Sequence, residues 1–279
     1  MQQNSGSHYL QYADMPTPRF HCPFALSAHA RIELPDAIAH HAVRVLRLRD
    51  GDALVLFDGQ GGEYPATLRV AGKTAHAELG ARDAREAELA GSITLVQGLP
   101  SGDKMDWIVE KAVELGVQRL VPIAAQRSVL QLNGDRQDKR LAHWRRIAAA
   151  ASEQCGRNRL MCIEPVTTLT NWLTASSAEP RLLCHPEDGA SLKPSLEPAR
   201  RAGAVALLVG PEGGWTDAER DASRAAGATP VSFGTRVLRT ETAGLALVAA
   251  ATALLEWDGP APAGPAAQSE TDSGQPASP

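Results

Sequence analysis

At 279 residues, 43% of them hydrophobic and 22% charged, the chain carries enough apolar material for one large or two modest domains and too much for wholesale disorder. A formal net charge of −4 excludes bulk attraction to nucleic acid, so any polyanion must be met by local patches. The longest apolar-leaning run, Ala243 to Leu255, is broken by Gly244 and Thr252 and falls short of the roughly 18–20 residues of a membrane span. No basic n-region and apolar h-region follow Met1, so a soluble, cytoplasmic protein with no membrane partner is expected.

Residues 1–17 read as a polar leader and residues 258–279 as a Gly/Pro/Ala/Ser tail, neither able to build a packed element. Residues 18–80 read as a small β-barrel with one helix. Pro35-Asp36 opens the helix, and Ile38, Ala42 and Val45 recur at i, i+4 and i+7 as its apolar stripe. A three-strand meander follows: Ala53 to Phe57, Glu63 to Val70 and Thr74 to Leu79, reversed by Asp58-Gly59-Gln60-Gly61-Gly62 and Ala71-Gly72-Lys73. Residues 81–90, charged and Ala-rich, read as a linker. From 91 to 257 the pattern turns to strand–helix alternation. Strands are expected at Ile93 to Gln97, Arg119 to Ile123, Leu182 to Cys184, Val205 to Val209 and Val231 to Phe233. Helices are expected at Asp103 to Leu115, Asp138 to Glu153, Asp217 to Ala226 and Glu241 to Trp257. Such alternation implies an α/β domain with a mostly parallel sheet covered on both faces.

The four cysteines (Cys22, Cys155, Cys162, Cys184) form no CxxC pair and read as small buried side chains, without a disulfide framework. Among the eight His residues there is no HExxH, so no metal is expected.

Ligands of parallel sheets bind beyond the carboxyl ends of strands, and two unusual segments fall there. Gly210-Pro211-Glu212-Gly213-Gly214 follows the Val205 to Val209 strand; its bare backbone suits close approach to a ligand, though a tight turn needing positive φ explains glycines equally well. Gly234 to Ala243 follows the last strand, with Arg236 and Arg239 flanking Val237-Leu238 and Thr240 as the expected N-cap. An apolar pair between charges suits a slot for a flat ring. GxxxxGK[ST], a strand-following GxGxxG and GxSxG are all absent, which disfavours phosphate-driven nucleotide chemistry, a standard dinucleotide unit and a nucleophile elbow.

Two basic patches remain. Arg127 to Leu160 holds eight Lys or Arg against three acids, and His40, Arg44 and Arg47 at i, i+4 and i+7 share one face of the first helix. Like charges at that spacing disfavour an isolated helix by ~0.2–0.5 kcal/mol per pair, so either a solvated face or a polyanion partner accounts for them.

LLVGPEGGWTDAE (Leu207 to Glu219), GTRVLRTETA (Gly234 to Ala243), EKAVELGV (Glu110 to Val117) and SEQCGR (Ser152 to Arg157) resemble the RsmE family over roughly Pro18 to Trp257. The resemblance implies a SPOUT α/β methyltransferase domain with a deep trefoil knot, preceded by a PUA-like RNA-binding barrel, working as a homodimer. It implies methylation of N3 of a uridine in 16S ribosomal RNA, free or in the small ribosomal subunit, with S-adenosylmethionine as cofactor. Carried onto this sequence, it implies cofactor contacts from His185, Val209, Gly210, Pro211, Gly213, Gly214, Val237, Leu238, Thr240 and Thr242. Arg236, Arg239 and Glu212 become the candidate catalytic groups, with Glu241 a second candidate to take the N3 proton. Arg19, His40, Arg44, Arg47 and Arg157 become candidate RNA contacts. Three alternatives stay open at this point: a non-catalytic RNA-binding assembly factor, a SPOUT enzyme with another target atom, and a small-molecule α/β enzyme whose patches bind an anionic metabolite.

Overall fold

A computed structural model describes residues 17–72, 74–129, 134–175, 179–186 and 189–259. The expected leader and tail lie almost entirely outside the described residues.

The first unit comprises β1 (Arg19–His21), β2 (Arg31–Glu33), α1 (Asp36–His40), β3 (Ala53–Phe57), β4 (Tyr64–Ala71) and β5 (Thr74–Leu79), in a sheet of order β1-β3-β4-β5-β2. Its centre is the expected β3-β4-β5 meander. Leu54 and Leu56, Ala66 and Leu68, and Ala75 and Ala77 alternate inward with the period of two that a one-sided sheet requires. β1 and β2 have no periodicity of their own at three residues each; β1 is held parallel to β3, and β2 antiparallel to β5.

The helix departs from its expected course. After α1 the chain continues as a π-helical turn, His41–Val45. The wider turn breaks the 3.6-residue phase. Ile38 and Ala42 face the core as expected, but Val45 is 57% exposed and Val43 packs inward instead. Arg47 lies past the helical segment at φ +59°. His40, Arg44 and Arg47 are all exposed, yet they do not share the single helical face that their spacing predicts.

The second unit runs β6 (Ser92–Gly98), α2 (Lys104–Glu114), β7 (Arg119–Ile123), α3 (Asp135–Cys155), β8 (Cys162–Ile163), α4 (Leu169–Thr174), β9 (Arg181–Cys184), β10 (Ala190–Ser191), α5 (Leu192–Ser195), α6 (Glu197–Ala202), β11 (Ala204–Val209), α7 (Asp217–Ala225), β12 (Thr229–Ser232) and α8 (Thr240–Leu255). Its strands pair in parallel in the order β10-β12-β9-β11-β6-β7-β8. One face is covered by α2, α3 and α8, whose Ile108, Trp144 and Leu247 pack with Ile93 and Leu95. On the other face Trp172 of α4 and Trp215, just before α7, pack with Val96, Leu183 and Leu208. Burial on both faces explains the unbroken apolar run of β11, Ala-Val-Ala-Leu-Leu-Val. The cysteines depart from expectation in one respect: Cys162 is exposed, Cys155 and Cys184 are half-buried, and only Cys22 is fully buried.

Polar side chains fasten the two units together. Arg19 pairs with Glu63 and donates to Asn158 Oδ1 at 2.6 Å, with its guanidinium 5.2 Å from the Phe57 ring centroid. His21 N donates to Glu153 Oε1 of α3 at 2.8 Å. Arg157 is 3% exposed; it forks onto Glu88 at 3.0 and 2.7 Å and donates to the carbonyls of Val113 and Val117 at 3.0 and 2.9 Å. This corrects the expected RNA role of both arginines. Arg19 faces the seam between the units, and Arg157 is buried with four of its five N–H donors engaged inside the protein. The connecting segment is pinned at the same place, by Glu88 and by Ala90 N donating to Trp257 O at 3.0 Å.

Arg157→Leu strands the Glu88 carboxylate without its partner. Breaking a buried pair from one side costs about 3–5 kcal/mol. Urea denaturation should show a loss of that order, whereas a surface arginine would register within about 0.5 kcal/mol of wild type.

Candidate functional site

The loops leaving β9, β11 and β12, three adjacent strands, meet around a cavity of about 490 Å³. Strand order reverses beside them: β6, β7 and β8 step one way from β11, and β9, β12 and β10 the other. That is where open parallel sheets place ligands.

The glycine-rich loop supplies one wall, Val209 to Trp215. Only Gly214 of its three glycines has positive φ, +67°, so a turn requirement explains one of them. A Cβ on Gly210 would stand 3.1 Å from the Gly214 backbone, and one on Gly213 would stand 2.9 Å from Arg127 Cβ. Those two glycines are there for close approach. Opposite lies the loop from Phe233 to Arg239, with Arg236, Val237, Leu238 and Arg239 on the cavity. Both members of the expected apolar pair line the cavity: Val237 is 80% exposed at the rim and Leu238 packs on the core. His185 completes the lining beside Arg220, 2.9 Å from its Nε2.

Thr240 and Thr242 part company. Arg239, not Thr240, is the N-cap of α8. Thr240 is the first helical residue, 6% exposed, and its hydroxyl donates to Gly210 O at 2.6 Å while accepting from Gln97 Nε2 at 2.9 Å. Thr242 is exposed and does not line the cavity; one helical step on, Ala243 does.

Glu212 sits at the mouth in a cluster of donors. It accepts from Lys104 Nζ at 2.7 Å, from Ser101 Oγ at 2.7 Å and from Ser101 N at 3.1 Å. Burial works to raise its pKa, but the bonds from Lys104 and Ser101 outweigh it and hold the carboxyl at about 2. A carboxylate so stabilised is a poor proton acceptor. The geometry instead makes it a tether from the glycine-rich loop to the start of α2. Glu241, whose Oε2 lies 3.7 Å from Lys104 Nζ, is outside the cavity lining. Cys184 does line it, with burial pushing its thiol up to about 11, so it is un-ionised at neutral pH.

The structure adds residues that the sequence reading missed. Arg127, from the loop after β7, donates to Gly213 O at 3.0 Å. Next to it, Gln126 N donates to Glu219 Oε1 at 2.9 Å, and Glu219 closes a capping box with Thr216 at the start of α7. Gln97, wholly buried in β6, donates to Gly98 O and Thr240 Oγ1, both at 2.9 Å. Its signal was visible, as a lone amide at the carboxyl end of a buried strand. Among the described residues no group of three or more His, Cys, Asp or Glu is placed to hold a metal.

Comparison with known proteins follows the same division. The chain matches the description "RNA methyltransferase domain" over residues 87–252 and "RNA methyltransferase PUA domain" over residues 34–79. Fold and site thus define an RNA methyltransferase with an attached PUA domain. The Ribosomal RNA small subunit methyltransferase E of Synechocystis sp. is 35% identical over 236 residues, 81% of this chain and 74% of that one. Its namesake from Bacillus subtilis is 29% identical, over 78% and 90%. A crystal structure of the Neisseria gonorrhoeae enzyme of that name, bound to S-adenosyl methionine, superposes with a TM-score of 0.79 at 37% identity, covering 86% of this chain and 98% of that one. A putative methyltransferase of Legionella pneumophila in complex with the same cofactor gives 0.78 at 28% identity, with the same coverage. The chain belongs to the ribosomal RNA small subunit methyltransferase E family, the RsmE family.

The Glu212 tether has a pH signature. A carboxyl held at about 2 when folded, against 4.5 ordinarily, contributes stability that is complete above pH 4.5 and is lost as pH falls toward 2. Glu212→Gln should be less stable than wild type at pH 7 but should lose less between pH 5 and 2, as read from melting temperatures across that range. Parallel curves for the two proteins would remove the tether.

Proposed function

We propose that this chain transfers the methyl group of S-adenosylmethionine to N3 of a uridine in small-subunit (16S) ribosomal RNA, acting as a cytoplasmic homodimer. The observation that carries the reading is the cavity itself, with bare glycine backbone on one wall, Leu238 on the other, and two arginines at the mouth. Among the described residues neither Arg236 nor Arg239 spends its side chain on an ion pair or hydrogen bond. The likeness to the gonococcal protein, which was crystallised with the cofactor, supports the same ligand here.

The residues present fit that ligand. A volume of about 490 Å³ lies within the range of ligand pockets, roughly 300–1,000 Å³. Gly210 and Gly213 let the cavity wall fold tightly on itself and on Arg127, where a Cβ would push the loop out of place. The backbone of Gly210 to Gly214, with His185, Val209 and Leu238, would hold the cofactor. When bound, it supplies a methyl group activated by a sulfonium centre.

The chain's own work is to bind, orient and stabilise charge. Uracil N3 is a poor nucleophile until its proton leaves, so a site that favours the uracil anion speeds transfer. Arg239, and behind it Arg236, place positive charge where that anion develops. Lys104 is occupied by Glu212 and keeps the loop in register. Exposed Arg44 and Arg47 on the first unit, with His40, offer phosphate contacts that bring the base to the cavity. Removing the base from its stack costs a few kcal/mol, which such contacts must supply. Among the described residues no helix is long and apolar enough to cross a membrane. For the dimer, α2 exposes Trp107 (54%) and α8 lies against α2, which makes these two helices the proposed two-fold contact.

Three measurements test the reading. Arg239→Ala should keep most RNA affinity in filter binding yet lose ~10²–10³ in single-turnover methylation of small subunits, the scale of losing one oxyanion donor. Gly213→Val drives a branched side chain into Arg127, so calorimetry should show sharply weaker cofactor binding; an unchanged affinity places the pocket elsewhere. Light scattering that found an active monomer at assay concentration would sink the dimer.

A further inference from the structure

The eight cations between Arg127 and Leu160 can now be sorted by what they touch. Arg127 holds Gly213 O, Arg140 reaches Asp103 and Asp106, Arg145 donates to Ile163 O, Arg157 is buried on Glu88, and Arg159 pairs with Glu86. Arg136, Lys139 and Arg146 are left. All three are exposed on α3, and none makes an ion pair or side-chain hydrogen bond among the described residues.

Their placement is not random. The buried side of α3 is marked by Leu141, Trp144, Ala148, Ala151 and Ser152. At 100° per residue Lys139 and Arg146 fall almost directly opposite that side, and Arg136 lies toward the same outward edge, spread over about 15 Å of axis. The helix is 21 residues long, so it spans about 30 Å. Its first turns stand beside the start of α2, where Arg140 meets Asp103, one residue from the Lys104 that holds Glu212 at the cavity mouth. Its last turn holds β1 of the first unit through Glu153 and His21 N. The unpaired cations thus line the route from the PUA-type unit to the methyl-transfer cavity.

Helix energetics alone oppose this arrangement. Arg136 and Lys139 are like charges at i, i+3 in the first two turns, where the helix dipole favours acids. The acids of the same helix do not neutralise them, since Asp135 and Asp138 form no ion pair with them and Glu153 is turned to His21. A polyanion laid along the helix gives these charges their counterpart.

We propose that the outward stripe Arg136–Lys139–Arg146 of α3 is a second RNA-contacting surface, which tracks backbone phosphates between the first unit and the cavity. The proposal rests on the RNA-methylating reading of the cavity but has its own readout. The target is recognised here as a phosphate backbone, so the stripe contributes affinity and register without sequence choice.

The test is filter binding of small-subunit ribosomal RNA over a series of salt concentrations, with wild type and the full-length variant R136A/K139A/R146A. Each lost phosphate contact should lower the log–log slope by roughly 0.7–0.9, so the triple variant should lose roughly 2–3 in slope. Cofactor affinity by calorimetry and the melting temperature should not move, and restoring charge as R136K/R146K with Lys139 intact should return most of the slope. A triple variant with the wild-type slope overturns the proposal. So does an unchanged slope accompanied by a shift in oligomeric state, which would make the stripe a contact between copies. A wild-type protein that binds RNA with stripe-dependent slope but methylates nothing would overturn the functional reading and leave the stripe standing.

Discussion

One hydroxyl holds the site in register. Thr240 Oγ1 has a single proton and gives it to Gly210 O, so it meets Gln97 as an acceptor and takes one of the two hydrogen bonds that the buried Gln97 Nε2 donates, the other going to Gly98 O. Three chain segments are joined at that atom: the end of β6, the glycine-rich loop after β11 and the first turn of α8. One wall of the cavity is that glycine-rich loop and the other is the loop that leads into α8, so its width depends on the 2.6 Å bond between Thr240 and Gly210 O. Buried polar groups are costly when unpaired and specifying when paired, and this one is paired on both sides.

Around that bond the loops are fixed by contacts of quite different kinds. The glycine-rich loop is tied at Gly213 O by Arg127, at Glu212 by Lys104 and Ser101, and through the Thr216–Glu219 capping box at the head of α7. The arginine loop has far fewer ties, and its Arg236, Val237 and Arg239 stand exposed. One wall is therefore a preformed cradle and the other is free to conform, a division suited to holding a small cofactor while admitting a large, separately held substrate.

Where the sequence was legible, a local pattern and the tertiary outcome agreed. The parallel strands were readable because burial on both faces writes continuous apolar runs, and the cavity loops were readable because glycine-rich and arginine-bearing segments follow strands at the end of a parallel sheet where ligands bind. What escaped was settled at a distance. The three-residue strands β1 and β2 exist because β3 and β5 offer them edges. The π-turn at His41–Val45 moved Val45 outward, and nothing in the spacing of Ile38, Ala42 and Val45 announces an extra residue in a turn. Arg19 and Arg157 look like surface cations in the sequence, and only the partners Glu63, Asn158 and Glu88 show them to be internal fasteners. The arginines on the cavity and the structural ones are chemically the same residue, separated only by what faces them.

The length of the loop closed by Gln97 and Thr240 carries a consequence for biosynthesis. The two residues are 143 positions apart, and Thr240 belongs to the last helix of the described chain. During translation the PUA-type unit emerges first, whereas Gln97 of β6 must wait for its Thr240 partner until α8 leaves the ribosome. The cavity is therefore among the last features to be fixed, and a chain truncated before Thr240 lacks the hydroxyl that joins Gln97 to Gly210 O.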